Sequence, residues 1–492
     1  MKLTFDEIKD ILSNSNLLLD SSFKDGEILG VTYDSRDVSK DYLFFCKGEK
    51  FNKKFLDIAV LNGANIYVAE KRYSEDYNYF IVKDIREAMA VISSELYKKA
   101  YLDIETIAIT GTKGKTTVTY FLKNIIDEFT KKKSAIISTV ETYTGVREEE
   151  SHLTTPEAPL LHELFYEVKQ SDIKYLTMEV TSQAYKTKRV SGIKFKHGMF
   201  LNISEDHISD LEHSDFEDYF NCKLELIKNV DDMLVNIDME KYLEVKEACE
   251  DNDVKYYTYG INKDADYVYS DIIKVGDIFK FSLLEKDGKQ ELYSINMQGR
   301  FNVENAVAAI AMAKIMGMDY ESIKRGLLKT QILGRMNVFE KNGVTIIVDY
   351  AHNKLSFSKL YESIKLDYPN RRIVSLGGGP GNKAYKRRQD FGEIVGAGSD
   401  HVILTAEDPQ FENVSDICKD IIKYLPEDVT YEVIEDRKEA VEYAINNAKN
   451  KDVIVLLAKG EEDYQKVNGN FTYYESDLKI VKRLLEKEGI KC

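Results

Sequence analysis

The chain has 492 residues, with 68 Lys or Arg against 84 Asp or Glu, and a formal net charge of −16. A surface so acidic repels phosphate backbones and anionic lipids, which argues against nucleic acid or a membrane as the main partner. Five scattered cysteines and the lack of any long apolar run point to reduced thiols in the cytoplasm, not to a disulfide framework, a zinc site or a membrane span.

The length exceeds what one hydrophobic core serves, and about three domains are expected. Residues 87–97 read as an amphipathic helix, and the polar pair Lys98-Lys99 then marks a boundary near residue 100. A buried strand follows at Thr106-Ile107-Ala108-Ile109-Thr110, then the loop Gly111-Thr112-Lys113-Gly114-Lys115-Thr116-Thr117. Thr116 is expected to open a helix whose apolar face is Val118, Phe121, Leu122, Ile125, Ile126 and Phe129. Gly111 and Gly114 let backbone amides converge on an anion at the positive end of that helix. Lys115 can reach the β- and γ-phosphates of ATP, and the Thr116 hydroxyl can ligate Mg2+. Ile109 stands where the usual pattern has its first glycine, so the loop is a shortened form.

Further on, the apolar strand Tyr175-Leu176-Thr177-Met178 ends on Glu179, a suitable place for a rigidly held metal ligand. Helical stretches at 304–316 and 320–328 give way to strands at a second boundary near Gly334-Arg335. In the last third, apolar runs at 344–348, 373–376, 402–404 and 453–457 alternate with helices, the rhythm of a parallel doubly wound sheet. Each run ends in a polar or glycine-rich cluster, where open α/β sheets place their ligand crevice.

The shortened loop resembles that of the Mur ligases, the ATP-dependent amide-forming enzymes of peptidoglycan precursor synthesis. Other segments match in chain order: Tyr33-Asp34-Ser35-Arg36, Thr154-Thr155-Pro156-Glu157, Met178-Glu179-Val180-Thr181, and Asn202-Ile203-Ser204-Glu205-Asp206-His207. Residues 219–223, Gly299-Arg300-Phe301-Asn302 with Asn305, Gly334-Arg335-Met336 and Asp349-Tyr350-Ala351-His352 complete the set. The resemblance implies an α/β protein of three domains. Residues 1–100 would bind the uridine nucleotide and 101–334 would be the P-loop ATPase-like centre. Residues 335–492 would form a Rossmann-like domain that accepts an amino acid.

The implied chemistry is amide formation. ATP converts a carboxylate to an acyl phosphate, an amine attacks it, and phosphate leaves. Lys115, Lys223, Glu179 and His207 would carry the reaction, with Mg2+ on Thr116, Glu179, His207 and an N-carboxylated Lys223. Besides the loop 111–117, the nucleotide would meet Asn302, Asn305, Arg335 and Asp349. Ser35 would touch the uridine nucleotide, while Thr154, Thr155, Thr181 and Arg189 would hold the muramoyl-dipeptide.

In relatives that add meso-diaminopimelate the recognition loop reads Asp-Asn-Pro-Arg, the Arg gripping the distal carboxylate. This chain has Glu407-Asp408-Pro409-Gln410 there. Gln410 cannot form the bidentate charged pair, and the two acids favour an ammonium group. With Glu462 of the segment 459–465, they point to a diamino acid, L-lysine first, with ornithine or diaminopimelate as alternatives. A monomer acting on UDP-N-acetylmuramoyl-L-alanyl-D-glutamate is expected. From another class, a P-loop kinase or a regulatory nucleotide-binding protein stays open at this stage.

Overall fold

The computed structural model describes residues 1–48, 51–206, 208 and 212–487. Its strands gather into three large sheets that follow one another along the chain. The first holds β1 (Leu18–Ser22), β2 (Gly30–Thr32), β3 (Tyr42–Phe45), β4 (Ala64–Ala69) and β5 (Tyr79–Val82) in the order β1-β5-β4-β3-β2. All its pairings are parallel except β1 with β5. The predicted helix is Ile85–Leu96, capped by the Asp84 side chain, and it buries Ala88, Met89, Ile92 and Leu96 against this sheet's core.

β6 (Glu105–Thr110) lies inside an eleven-stranded sheet, between parallel β7 (Tyr175–Glu179) and β8 (Phe195–Phe200). The loop after β6 feeds α1 (Lys115–Thr130), which opens one residue before the expected Thr116. Ile107 and Ile109 of β6 share a core with Val118, Phe121, Leu122, Ile125 and Ile126 of α1, and with α3 (Phe301–Ile315) beyond it. Phe129 departs from the reading: it is 37% exposed, so the last turn of α1 overhangs that core. A shorter helix, α2 (Phe216–Leu224), carries Lys223 on its buried side.

The third sheet comprises β9 (Asn337–Lys341), β10 (Val344–Asp349), β11 (Ile373–Gly377), β12 (His401–Leu404), β13 (Thr430–Val433) and β14 (Val453–Leu457). Their order is β9-β10-β14-β11-β12-β13, with β10 to β14 parallel and β9 antiparallel at one edge. The four apolar runs in the sequence are β10, β11, β12 and β14. The two edge strands escape that reading because edges need no continuous apolar run: every residue of β13 is exposed, and β9 buries only Lys341. A hairpin, β15 (Tyr464–Val467) and β16 (Asn470–Tyr473), stands apart from the sheet. Among the described residues, no helix is long and apolar enough to cross a membrane.

Candidate active site

The carboxyl ends of β6, β7 and β10 converge on a cavity of about 300 Å3. Its walls include Thr112, Lys113, Gly114, Lys115, Thr116 and Thr117 of the loop, with Glu179, Asn302, Asn305, Arg335, Asp349, Thr154 and Thr181. Residues scattered over more than two hundred positions of sequence thus share one chamber. Gly111 and Gly114 hold φ of +153° and +86°, and Gly114 packs directly on the Asn305 side chain, so both positions need glycine. Asn202 pins the loop from both sides, accepting from the Lys113 amide at 2.9 Å and donating to the Lys113 carbonyl at 3.0 Å.

Two lysines meet over the loop. Lys115 Nζ donates to the Gly111 carbonyl at 2.8 Å, and Lys223 Nζ donates to the same oxygen at 3.0 Å. Lys223 is 2% exposed. Burial lowers the pKa of both amines, that of Lys223 well below its usual value, and the neighbouring Lys115 charge adds to the effect. Glu179 is fully buried; its carboxylate accepts from the Thr139 amide at 2.8 Å and the Thr139 hydroxyl at 3.2 Å.

Lys113 reaches across to the third sheet, where its Nζ donates to His352 Nε2 at 2.9 Å. His352 Nδ1 lies 2.7 Å from the Tyr350 carbonyl, which fixes the proton on Nδ1 and leaves Nε2 as the acceptor. Burial keeps that ring neutral, and burial also lowers Lys113 to about 7. Asp206 stands beside this contact. It takes Arg387 Nη2 at 2.9 Å, lies 3.7 Å from Lys113 Nζ, and accepts from the Asn353 amide. Asp349 spends both oxygens on backbone amides, those of Met336 and Ala351, each at 2.8 Å. It therefore shapes the turn around Arg335, whose guanidinium lies 4.3 Å from the Tyr350 ring centroid.

Residues 109–313 match the family model of the Mur ligase middle domain, and residues 334–460 match the Mur ligase glutamate ligase domain. The UDP-N-acetylmuramoyl-L-alanyl-D-glutamate–L-lysine ligase of Enterococcus faecalis is 36% identical over 493 residues, covering 98% of this chain and 97% of that one. Its namesake in Streptococcus agalactiae is 38% identical over 499 residues, covering 99% and 100%. The chain belongs to the Mur ligase family. Among solved structures, a UDP-N-acetylmuramoyl-L-alanyl-D-glutamate–2,6-diaminopimelate ligase superposes over 100% of both chains with a TM-score of 0.66 at 23% identity.

Within this Mur ligase the expected site residues fall into three groups. The phosphate loop, Glu179, Asn302, Asn305, Arg335 and Asp349 share the cavity, and Lys223 adjoins it through the Gly111 carbonyl. His207 lies outside the described residues. The dipeptide-binding set is largely committed to the scaffold. Thr155 is fully buried, with its hydroxyl on the Glu179 carbonyl at 3.0 Å, and Thr181 caps the next helix by accepting from the Ala184 amide. Arg189 donates to the Thr155 carbonyl at 3.0 Å and lies 3.2 Å from Glu157, which also pairs with Lys47 at 2.8 Å. Thr154 and Thr181 both line the cavity and are partly exposed, and of the two Thr154 is not tied to a helix cap. Ser35 is 7% exposed in the first sheet's end loops, away from the cavity.

The recognition loop departs from its simplest reading. Asp408 and Glu462 do not await an outside ammonium, because buried Lys459 donates to Asp408 Oδ1 at 3.1 Å and to Glu462 Oε2 at 2.7 Å. Glu407 is different. It is 9% exposed and makes no hydrogen bond or ion pair among the described residues. Burial, then the Asp408 charge, raise its pKa to about 7. Gln410 holds a left-handed φ of +54° and pairs by its backbone with Lys466 and Asn468, so the loop is stitched to the β15–β16 hairpin. Sequence reasoning did not single out Tyr350, Arg387 or Lys459 as functional. Two of them stand in polar clusters after strands, and Arg387 follows the glycine-rich turn after β11.

Proposed function

We propose that this ligase joins L-lysine to UDP-N-acetylmuramoyl-L-alanyl-D-glutamate, driven by ATP, as a cytoplasmic monomer with no nucleic-acid or membrane partner. In this reading residues 1–100 hold the uridine nucleotide, 101–334 the ATP, and 335–492 the incoming amino acid. Full-length similarity to lysine-adding relatives supports the substrates. The observation in the molecule that carries the reading is Glu407, a buried carboxylate of the recognition loop with no hydrogen bond or ion pair among the described residues. Such a group is costly unless a cation completes it.

The residues fit the nucleotide and its metal. Two positive-φ glycines shape the loop that opens α1, whose N-terminal end suits phosphates, and Lys115, held by the Gly111 and Thr112 carbonyl oxygens, can turn to them. Mg2+, once bound, neutralises charge on the transferring phosphoryl group. Thr116, Glu179 and Lys223, with His207, would hold it. A bare ammonium on Lys223 opposes a cation, but its buried amine is easily neutral and can add to CO2. The new N–C bond with loss of a proton leaves an anionic oxygen ligand. Asn302 and Asn305 frame the base, Thr154 faces the dipeptide, and Thr155, Thr181 and Arg189 hold that wall in shape. Ser35 touches the uridine nucleotide.

Phosphorylation turns the substrate carboxylate into an acyl phosphate, a mixed anhydride from which phosphate can leave when the amine attacks, and the chain's part is to position it and exclude water. Glu407 then draws the distal ammonium of lysine, which aims the other amine at the acyl phosphate. Phosphate release with the UDP-muramoyl-dipeptide tests this across lysine, ornithine and meso-diaminopimelate. Lysine should turn over fastest; faster turnover with diaminopimelate overturns the assignment.

A further inference from the structure

Tyr350 belongs to two sites at once. Its ring walls the nucleotide cavity under the Arg335 guanidinium, and its hydroxyl donates to Glu462 Oε1 at 2.6 Å. The other oxygen of Glu462 accepts from Lys459 Nζ at 2.7 Å, and the same ammonium donates to Asp408 Oδ1 at 3.1 Å. Asp408 Oδ1 also accepts from the Lys466 amide at 3.1 Å. A continuous polar chain of four residues, Tyr350, Glu462, Lys459 and Asp408, therefore runs from the nucleotide cavity to the recognition loop, with no water-filled gap needed between links.

Each link depends on the next. Lys459 is 1% exposed, so it cannot leave Asp408 and Glu462 for solvent without a buried charge losing its partners. The Tyr350 phenol is held in its neutral, donating form by burial and by the Glu462 charge. Among the described residues Arg335 is the only cation stacked on that ring, and it borders the space where phosphates would lie. A nucleotide that draws Arg335 toward its phosphates changes the load on the ring. The hydroxyl, Glu462 and Lys459 then shift together, and with them the acidic pocket of Glu407 and Asp408.

We propose that Tyr350 is a positioning residue that couples occupancy of the nucleotide cavity to the affinity of the 407–410 pocket for the incoming amine. This rests on the reading of that pocket as the diamino-acid site.

The test uses the full chain and measures lysine affinity calorimetrically, with and without a non-hydrolysable ATP analogue. Coupling between sites commonly spans 5- to 150-fold, and about tenfold tighter lysine binding with the analogue is expected in the native protein. Tyr350→Phe keeps the ring and its stacking but removes the hydroxyl. It should bring that ratio to about 1. Glu462→Gln breaks the chain without touching the cavity and should lower the ratio in the same way, which guards against a folding defect in either variant. A ratio kept in both variants, or a native ratio of 1, overturns the coupling. If the native protein binds no diamino acid under either condition, the reading of the pocket itself fails.

Discussion

The phosphate loop and the recognition loop gather opposite charges before any substrate arrives. At the phosphate loop, Lys115 and Lys223 share one carbonyl oxygen, and Lys113 rests on a neutral histidine with Asp206 3.7 Å away. At the recognition loop, Glu407 is buried with no ion-pair partner among the described residues. A third buried charge provides the contrast. Arg437 and Asp477 are each 0% exposed and form a two-armed pair at 2.9 and 2.6 Å. Arg437 also donates to the Ala406 and Leu457 carbonyls, and thereby ties the ends of β12 and β14 together. Burial alone does not mark a site. What separates the ligand-facing charges from the scaffold charge is that the former are left incomplete.

The sharpest way to break the comparison is to remove an incomplete charge from the cationic end. Lys223→Ala should lower phosphate release by about a hundredfold or more, the scale of losing one preorganised electrostatic group. If an anionic oxygen is what the position supplies, acetate or another short-chain carboxylate should restore part of the rate. Normal turnover in the variant would remove Lys223 from the site. The contrasting change is Arg437→Met, which strands Asp477 in the interior. It should cost about 3–5 kcal/mol, read as a lower urea midpoint, because breaking a buried pair exposes the full desolvation cost of the charge left behind. The folded fraction should keep its affinity for a non-hydrolysable ATP analogue, since Arg437 touches no part of the cavity.

How much of this could be read in the sequence follows from the range of the interactions. The phosphate loop was legible because strand, loop and helix are consecutive, so periodicity and two glycines locate it. The four central strands of the last sheet were legible because burial on both faces writes continuous apolar runs, while β9 and β13, at the edges, carry no such mark. Arg437 looks like any helical surface arginine, and only the fold brings Asp477 to it across forty positions. Lys459 likewise reads as a solvated residue, yet its placement changes what Asp408 and Glu462 can do. The segments that resemble the family supplied many of the residues that line the cavity. The sharing of partners within it depends on contacts that no local pattern records.

Glu407 offers the smaller but more discriminating test, because stability and function should move in opposite directions. Its folded pKa is raised from 4.5 to about 7, so between those values the folded chain binds more protons than the unfolded one. Stability contributed by this group is therefore full at low pH and is lost as pH rises toward 7; above that the charged carboxylate costs up to about 3 kcal/mol. Glu407→Gln should accordingly raise the urea midpoint at pH 8 and change it little at pH 4.5. The groups that face this carboxyl are Asp408, which opposes its charge, and Arg387, Lys459 and Arg437, which favour it. In the native enzyme a bound ammonium joins the second set, so the KM for lysine should climb as pH falls below about 7 and protonates the carboxyl. The glutamine variant should show a KM about tenfold higher at pH 8, the scale of losing one charge-assisted contact, with that pH dependence flattened. A variant that is no more stable at pH 8, yet binds lysine as before, would mean that Glu407 belongs with Arg437 in the scaffold and that its partner within the chain has been overlooked.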